Sequence, residues 1–140
     1  MKKEEFYKEA RRDLTGPLDG VRVLEATTTW AGPMCAAVLA DLGADVIKVE
    51  IPSGDVGRAI SPMLPGTDVS FMHATVNRNK RSLSIDVRSE AGKDIFLKLA
   101  AESDIVVENF KVGTMSGYHL GYDDVRKVKP DIVYVSITGW

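Results

Sequence analysis

Cysteine is almost absent from this chain. Cys35 stands alone among 140 residues, which excludes an internal disulfide and any cysteine-rich metal site. Histidine is as scarce: His73 and His119 lie far apart, without the spacing of a ligand pair. Neither sign of charge prevails, and a net charge of -2 leaves no basic stripe for a duplex. No apolar run approaches the roughly 20 residues of a membrane-spanning helix. The opening Met1-Lys2-Lys3-Glu4-Glu5-Phe6 is charged and lacks the apolar core of a signal peptide. These absences predict a soluble, cytoplasmic, metal-free protein that engages neither nucleic acid nor membrane.

What is present is an alternation of apolar runs and breakers. Residues 1–14 predict a short helical extension, with Phe6, Ala10 and Leu14 at four-residue spacing. After the turn Gly16-Pro17-Leu18-Asp19-Gly20, a strand is expected over 21–26. A helix follows from about Pro33 to Leu42, with Pro33 at the favoured first position. Met34, Val38 and Leu42 line one face of it, joined by Ala37 and Leu39. Gly43 stops that helix, and 44–50 reads as a second strand. About ten helical residues between two strands predict a parallel pair.

Residues 51–80 hold Pro52, Gly54, Gly57, Pro62, Pro65 and Gly66, which exclude one long regular element. Within them, 70–75 predicts a short helix. A second unit follows: a strand over 82–86, a helix over 90–101 capped by Ser89, and a strand over 104–108. Short helical pieces over 113–119 and 122–127 lead to a last strand over 131–138, after Pro130. The order predicts an α/β fold, an open and mostly parallel Rossmann-like sheet with helices on both faces. That last strand runs into the end of the chain at Trp140. A strand's carboxyl end is where such sheets build their sites, so the expectation is either a part of a larger enzyme or a small domain that leaves its site to a partner.

Three segments are candidates for ligand contact. Thr27-Thr28-Thr29-Trp30-Ala31-Gly32-Pro33 joins the first strand to the first helix, whose free N–H groups suit phosphate or carboxylate. It is not the Gly-x-Gly-x-x-Gly fingerprint of a nicotinamide site. A plain tight turn fits as well, and Trp30 there is equally readable as a core anchor. Asn77-Arg78-Asn79-Lys80-Arg81-Ser82 reads either as an anion clamp or as a solvated turn. Glu108-Asn109-Phe110-Lys111 lies at the carboxyl end of a strand, where Asn109 and Phe110 either meet a ligand or hold structure. Cys35 reads as an inert packed thiol.

Together the segments carry a family likeness. Gly16 to Glu25, Ala31-Gly32-Pro33, Leu39 to Glu50, Gly54-Asp55, Asn79 to Leu83 with Asp86, Val107-Glu108-Asn109-Phe110, Leu120-Gly121-Tyr122 and Ser136-Ile137-Thr138-Gly139 follow in order. The set resembles the opening of family III CoA-transferases (the CaiB/BaiF type), over about residues 16 to 140. The resemblance implies that residues 16–140 are the first part of a Rossmann-like CoA-binding domain, with 1–15 as an extension.

Further implications are coenzyme A or acyl-CoA as substrate, a carboxylic acid acceptor, and homodimers, interlocked, or heteromers of related subunits. An aspartate is implied to attack the donor thioester, by way of mixed-anhydride and aspartyl-CoA intermediates. That residue is implied to lie beyond Trp140; none of Asp41, Asp45, Asp55 or Asp86 matches it, so no catalytic residue is assigned. Carried over by position, CoA contacts fall on Thr29, Trp30, Ala31, Asn79, Lys80, Arg81, Asn109 and Phe110. Three positions depart from the family pattern: Trp30 is bulkier than the usual residue, Gly117 replaces a long one, and Lys111-Val112-Gly113 replaces Arg-Pro-Gly. The resemblance also admits an acyl-CoA racemase, or a non-catalytic CoA-binding subunit.

Overall fold

The computed structural model describes residues 15–139; the helix expected over 1–14 lies outside them. Among the described residues five strands form one sheet: β1 (Arg22–Ala26), β2 (Asp45–Glu50), β3 (Lys80–Ser84), β4 (Ile105–Glu108) and β5 (Val133–Ser136). Their order is β3-β2-β1-β4-β5, and every pairing is parallel. The helices are α1 (Ala31–Asp41), α2 (Phe71–Val76), α3 (Glu90–Ala101), α4 (Thr114–Gly117) and α5 (Tyr122–Val128), with a short 3-10 turn over Val56–Ala59. No helix among the described residues is long and apolar enough to cross a membrane.

Period-2 alternation splits the strands between two cores. Leu24, Ala26, Val49 and Val106 face α3, α4 and α5, packing with Phe96, Ala100, Met115 and Val125. Val23, Val46 and Val107 face the other way, against Ala36 and Ala40 of α1. Ser89 caps α3 through the Gly92 N–H, as its position predicts.

Three local expectations change. First, α1 begins at Ala31, so Pro33 is its third residue; no intrahelical N–H is needed in that first turn. Secondly, α1 turns its small residues to the sheet. Gly32, Ala36, Ala37 and Ala40 are buried, while Val38 and Leu42 are exposed. The strand layer beneath already holds two lysine side chains, Lys48 and Lys80, so a stripe of bulky residues would overfill the gap. Thirdly, β3 starts at Lys80 rather than Ser82, in register with β2 from Val46↔Lys80 to Glu50↔Ser84.

Candidate functional site

β1 lies at the centre of the sheet, with β2 on one side and β4 on the other. The chain therefore reverses its direction of growth between β1 and β4, which opens a crevice at their carboxyl ends. The loops that rim it are Thr27–Trp30 after β1, Ile51–Asp55 after β2 and Asn109–Gly113 after β4.

Asn109 ties two of these loops together. Its Oδ1 accepts the Thr28 N–H at 2.8 Å, and its Nδ2 donates to the Thr28 carbonyl at 2.9 Å. Its side chain is thus a strap across the crevice floor. Gly32 lets α1 approach: an added Cβ would lie 2.5 Å from Thr27 Cγ2 and 2.9 Å from Asn109 Cγ. Phe110, half-buried, walls an apolar cavity of about 90 Å³ with Ala26, Val49, Ile85 and Val87. On the other side of the same loop a wider groove, about 450 Å³, runs past Lys111 to Ile137 and Thr138.

Thr29 has φ +69°. A β-branched residue in that region costs on the order of 1–3 kcal/mol unless its surroundings hold it there. Its N–H donates to Asp55 Oδ1 at 3.0 Å. Trp30 follows, half-exposed at the start of α1 and without a side-chain capping bond. It is not a core anchor. Thr29, Trp30, Ala31, Asn109 and Phe110 thus gather on the loops that rim the crevice.

The basic turn does not join them. Asn79 donates to Asp41 at the far end of α1, and Arg81 pairs with Asp45 at the first residue of β2. Both lie at the edge where the strands begin, opposite the crevice. Lys80 runs inward: its Nζ is 2.7 Å from Glu25 Oε2 and donates to the Pro33 carbonyl at 2.7 Å. A strand register that points Lys80 under α1 removes it from solvent, so it is not a free anion clamp.

Beneath the crevice lies a charge cluster that periodicity missed. Glu25 and Lys48 are register partners on β1 and β2. Lys48 Nζ is 3.1 Å from Glu25 Oε1 and 3.1 Å from Asp55 Oδ2, and it donates to the Thr27 carbonyl at 2.9 Å. With Lys80 the set holds two ammonium and two carboxylate groups, their side chains at most 2% exposed. Glu25 Oε2 and Asp55 Oδ2 take no well-angled hydrogen bond; the nearby ammonium charge is what compensates them. The signal in the sequence is a charge amid an apolar strand, as in Val23-Leu24-Glu25-Ala26 and Val46-Ile47-Lys48-Val49. In a strand buried on both faces such a charge must be paired.

Two carboxylates near the crevice are held below their ordinary range. The Arg58 guanidinium does so for Glu50, through bonds of 2.8 and 2.7 Å. Burial pushes Asp55 up, but the Gly57 and Thr29 N–H groups and Lys48 together outweigh it. Burial also holds His73 below its usual value. In all three the unfolded chain binds protons more readily than the folded one, so stability falls as pH drops. The thermal midpoint is expected to be level between about pH 7.5 and 9, to decline slightly as His73 titrates, and to fall steeply below about pH 4.5. Glu50→Gln should flatten the steep part; an unchanged acid limb in a melting series would refute its origin.

Among the described residues no three His, Cys, Asp or Glu side chains gather as a metal site would require. The profile of CoA-transferase family III matches residues 18–140. A succinyl-CoA:mesaconate CoA-transferase of Haloarcula hispanica is 44% identical over 128 residues, covering 89% of this chain and 32% of that protein. The human succinyl-CoA:glutarate CoA-transferase is 43% identical over 125 residues, covering 89% and 28% respectively. The crystal structure of a CAIB/BAIF family protein from Brucella suis superimposes with a TM-score of 0.85 at 42% identity, over 91% of this chain and 34% of that one. The chain thus spans about a third of the length of these relatives. A profile match over almost all the described residues, on a parallel sheet with its crevice at the β1/β4 reversal, means that this chain belongs to CoA-transferase family III.

Proposed function

We propose that this chain is the CoA-binding part of an enzyme that moves CoA from an acyl-CoA donor to a carboxylic acid. The observation that carries the reading is the meeting of the Thr29–Ala31 and Asn109–Phe110 segments at the crevice, beside an apolar cavity walled by Phe110. A flat base fits against such a ring. The phosphates fall to the backbone N–H groups at the start of α1 and the exposed Lys111. Trp30, half-exposed on the rim, shapes the acyl end. Gly117 is exposed, with no atom within 4 Å of an added Cβ.

In this reading the attacking group is an aspartate outside these 140 residues. Its carboxylate adds to the thioester carbonyl and releases CoA thiolate, leaving a mixed anhydride. The thiolate then attacks the aspartyl carbonyl, which frees the donor acid and leaves an aspartyl-CoA thioester for the acceptor. The carboxylates at the crevice support that placement: Glu25, Glu50 and Asp55 are each occupied by a cation, and Glu108 accepts the Phe110 N–H. The partners are the two substrates and a second related subunit, in the cytoplasm.

Titration calorimetry with CoA is the test. The chain is expected to bind CoA yet to transfer none of it from succinyl-CoA to any acid. Phe110→Ala should weaken binding by about tenfold, or about 1.4 kcal/mol, within the usual range for stacking of a base on an aromatic ring. Absence of binding heat with the unaltered chain would overturn the reading.

A further inference from the structure

We propose that Asp55, anchored from below by Lys48, is the positioning residue for the crevice loop: it holds Thr29 left-handed and so aims Trp30 and Ala31 at the ligand. Three successive residues of that loop are pinned, each from a different direction. Lys48 of β2 takes the Thr27 carbonyl. Asn109, after β4, takes both backbone groups of Thr28. Asp55, from the loop after β2, takes the Thr29 N–H, and the same Oδ1 accepts the Gly57 N–H at 2.8 Å.

The Asp55 contact holds the strained position. A threonine at φ +69° relaxes to the β region unless a partner fixes it. Lys48 in turn fixes the partner, since its ammonium is 3.1 Å from Asp55 Oδ2. A buried ion pair seldom stabilises a fold more than well-packed apolar groups would. What an apolar set cannot do is hold a backbone N–H in one direction. The charges therefore serve orientation: they transmit the rigid register of β1 and β2 to the ligand-facing turn.

That the aimed backbone meets CoA rests on the reading above; that Asp55 sets its conformation does not. Asp55→Asn offers one amide oxygen and one amino group where a carboxylate met three donors, Thr29, Gly57 and Lys48, so either the Lys48 anchor or the Thr29 and Gly57 contacts are lost. Amide hydrogen exchange at Thr29 and Trp30 is expected to quicken at least tenfold relative to β4, and CoA Kd to rise at least tenfold. Adding Thr29→Gly should restore part of that affinity, because glycine adopts positive φ without strain. Val125→Ala, on the buried face of α5, should lower stability without moving either readout.

Unchanged exchange and unchanged Kd in Asp55→Asn overturn the proposal. So does a Val125→Ala variant that moves both equally, since the effect would then be general loosening. If the unaltered chain fails to bind CoA, the functional reading falls and the exchange result still decides the positioning role. Should Asp55→Asn fail to fold, the unaltered chain decides: protection of the Thr29 amide comparable to β1 supports the role, and free exchange refutes it.

Discussion

Lys48→Met is expected to lower folding stability by about 3–5 kcal/mol, the usual penalty for stripping one partner from a buried ion pair. The side chain is 2% exposed and serves Glu25, Asp55 and the Thr27 carbonyl together. Its removal leaves two buried carboxylates to share Lys80. Methionine fills a similar volume, so the loss reports charge rather than a cavity. Urea unfolding followed by far-UV circular dichroism measures it. Glu25→Gln added to Lys48→Met should recover part of the loss, because the remaining Asp55 and Lys80 again balance. Additive losses in this double-mutant cycle would show that the two side chains act independently.

Gly32→Ala is expected to destabilise the fold by about 1–3 kcal/mol, as overpacking usually does, and to weaken CoA binding at least tenfold. The new methyl would lie 2.5 Å from Thr27 Cγ2, 2.6 Å from Thr27 Cβ and 2.9 Å from Asn109 Cγ. None of these atoms yields easily. The Thr27 hydroxyl donates to buried Glu25, and Asn109 is held by both backbone groups of Thr28. The start of α1 must therefore lift away from the crevice, taking Trp30 and Ala31 with it. Unfolding and calorimetry on the same sample separate the two effects. Normal CoA affinity in a destabilised variant would show that the ligand does not depend on how closely α1 approaches.

Much of the architecture was legible because its signals are local. Ser89 before a helical stripe marked α3 to the residue, and Gly43 after Leu42 marked the end of α1. Pro and Gly in 51–80 marked a connection whose regular pieces prove to be one 3-10 turn and one short helix. Boundaries failed where a distant group decided them. β3 gained Lys80 and Arg81 because β2 pairs with them and Glu25 lies within reach of the Lys80 ammonium. The apolar spacing of Met34, Val38 and Leu42 named the wrong face of α1, since spacing reports periodicity and not the volume of the layer below.

For the site the division is similar. That Thr29, Trp30, Ala31, Asn109 and Phe110 lie at the crevice rim could be read because a strand followed by a turn places residues at a sheet edge. The composition of Asn79-Lys80-Arg81 admitted an anion clamp beside a solvated turn, yet those side chains point to Asp41, Glu25 and Asp45. Sequence by itself determined the alternation of strands and helices, the parallel sheet and the family, since periodicity, breakers and ordered motifs are written along the chain. Tertiary structure alone decided which charges face the crevice or solvent and which are buried as partners. A charge's role depends on what lies within a few ångströms of it, and the groups that pair Glu25 with Lys48 and Lys80 stand 23 and 55 residues apart in the chain.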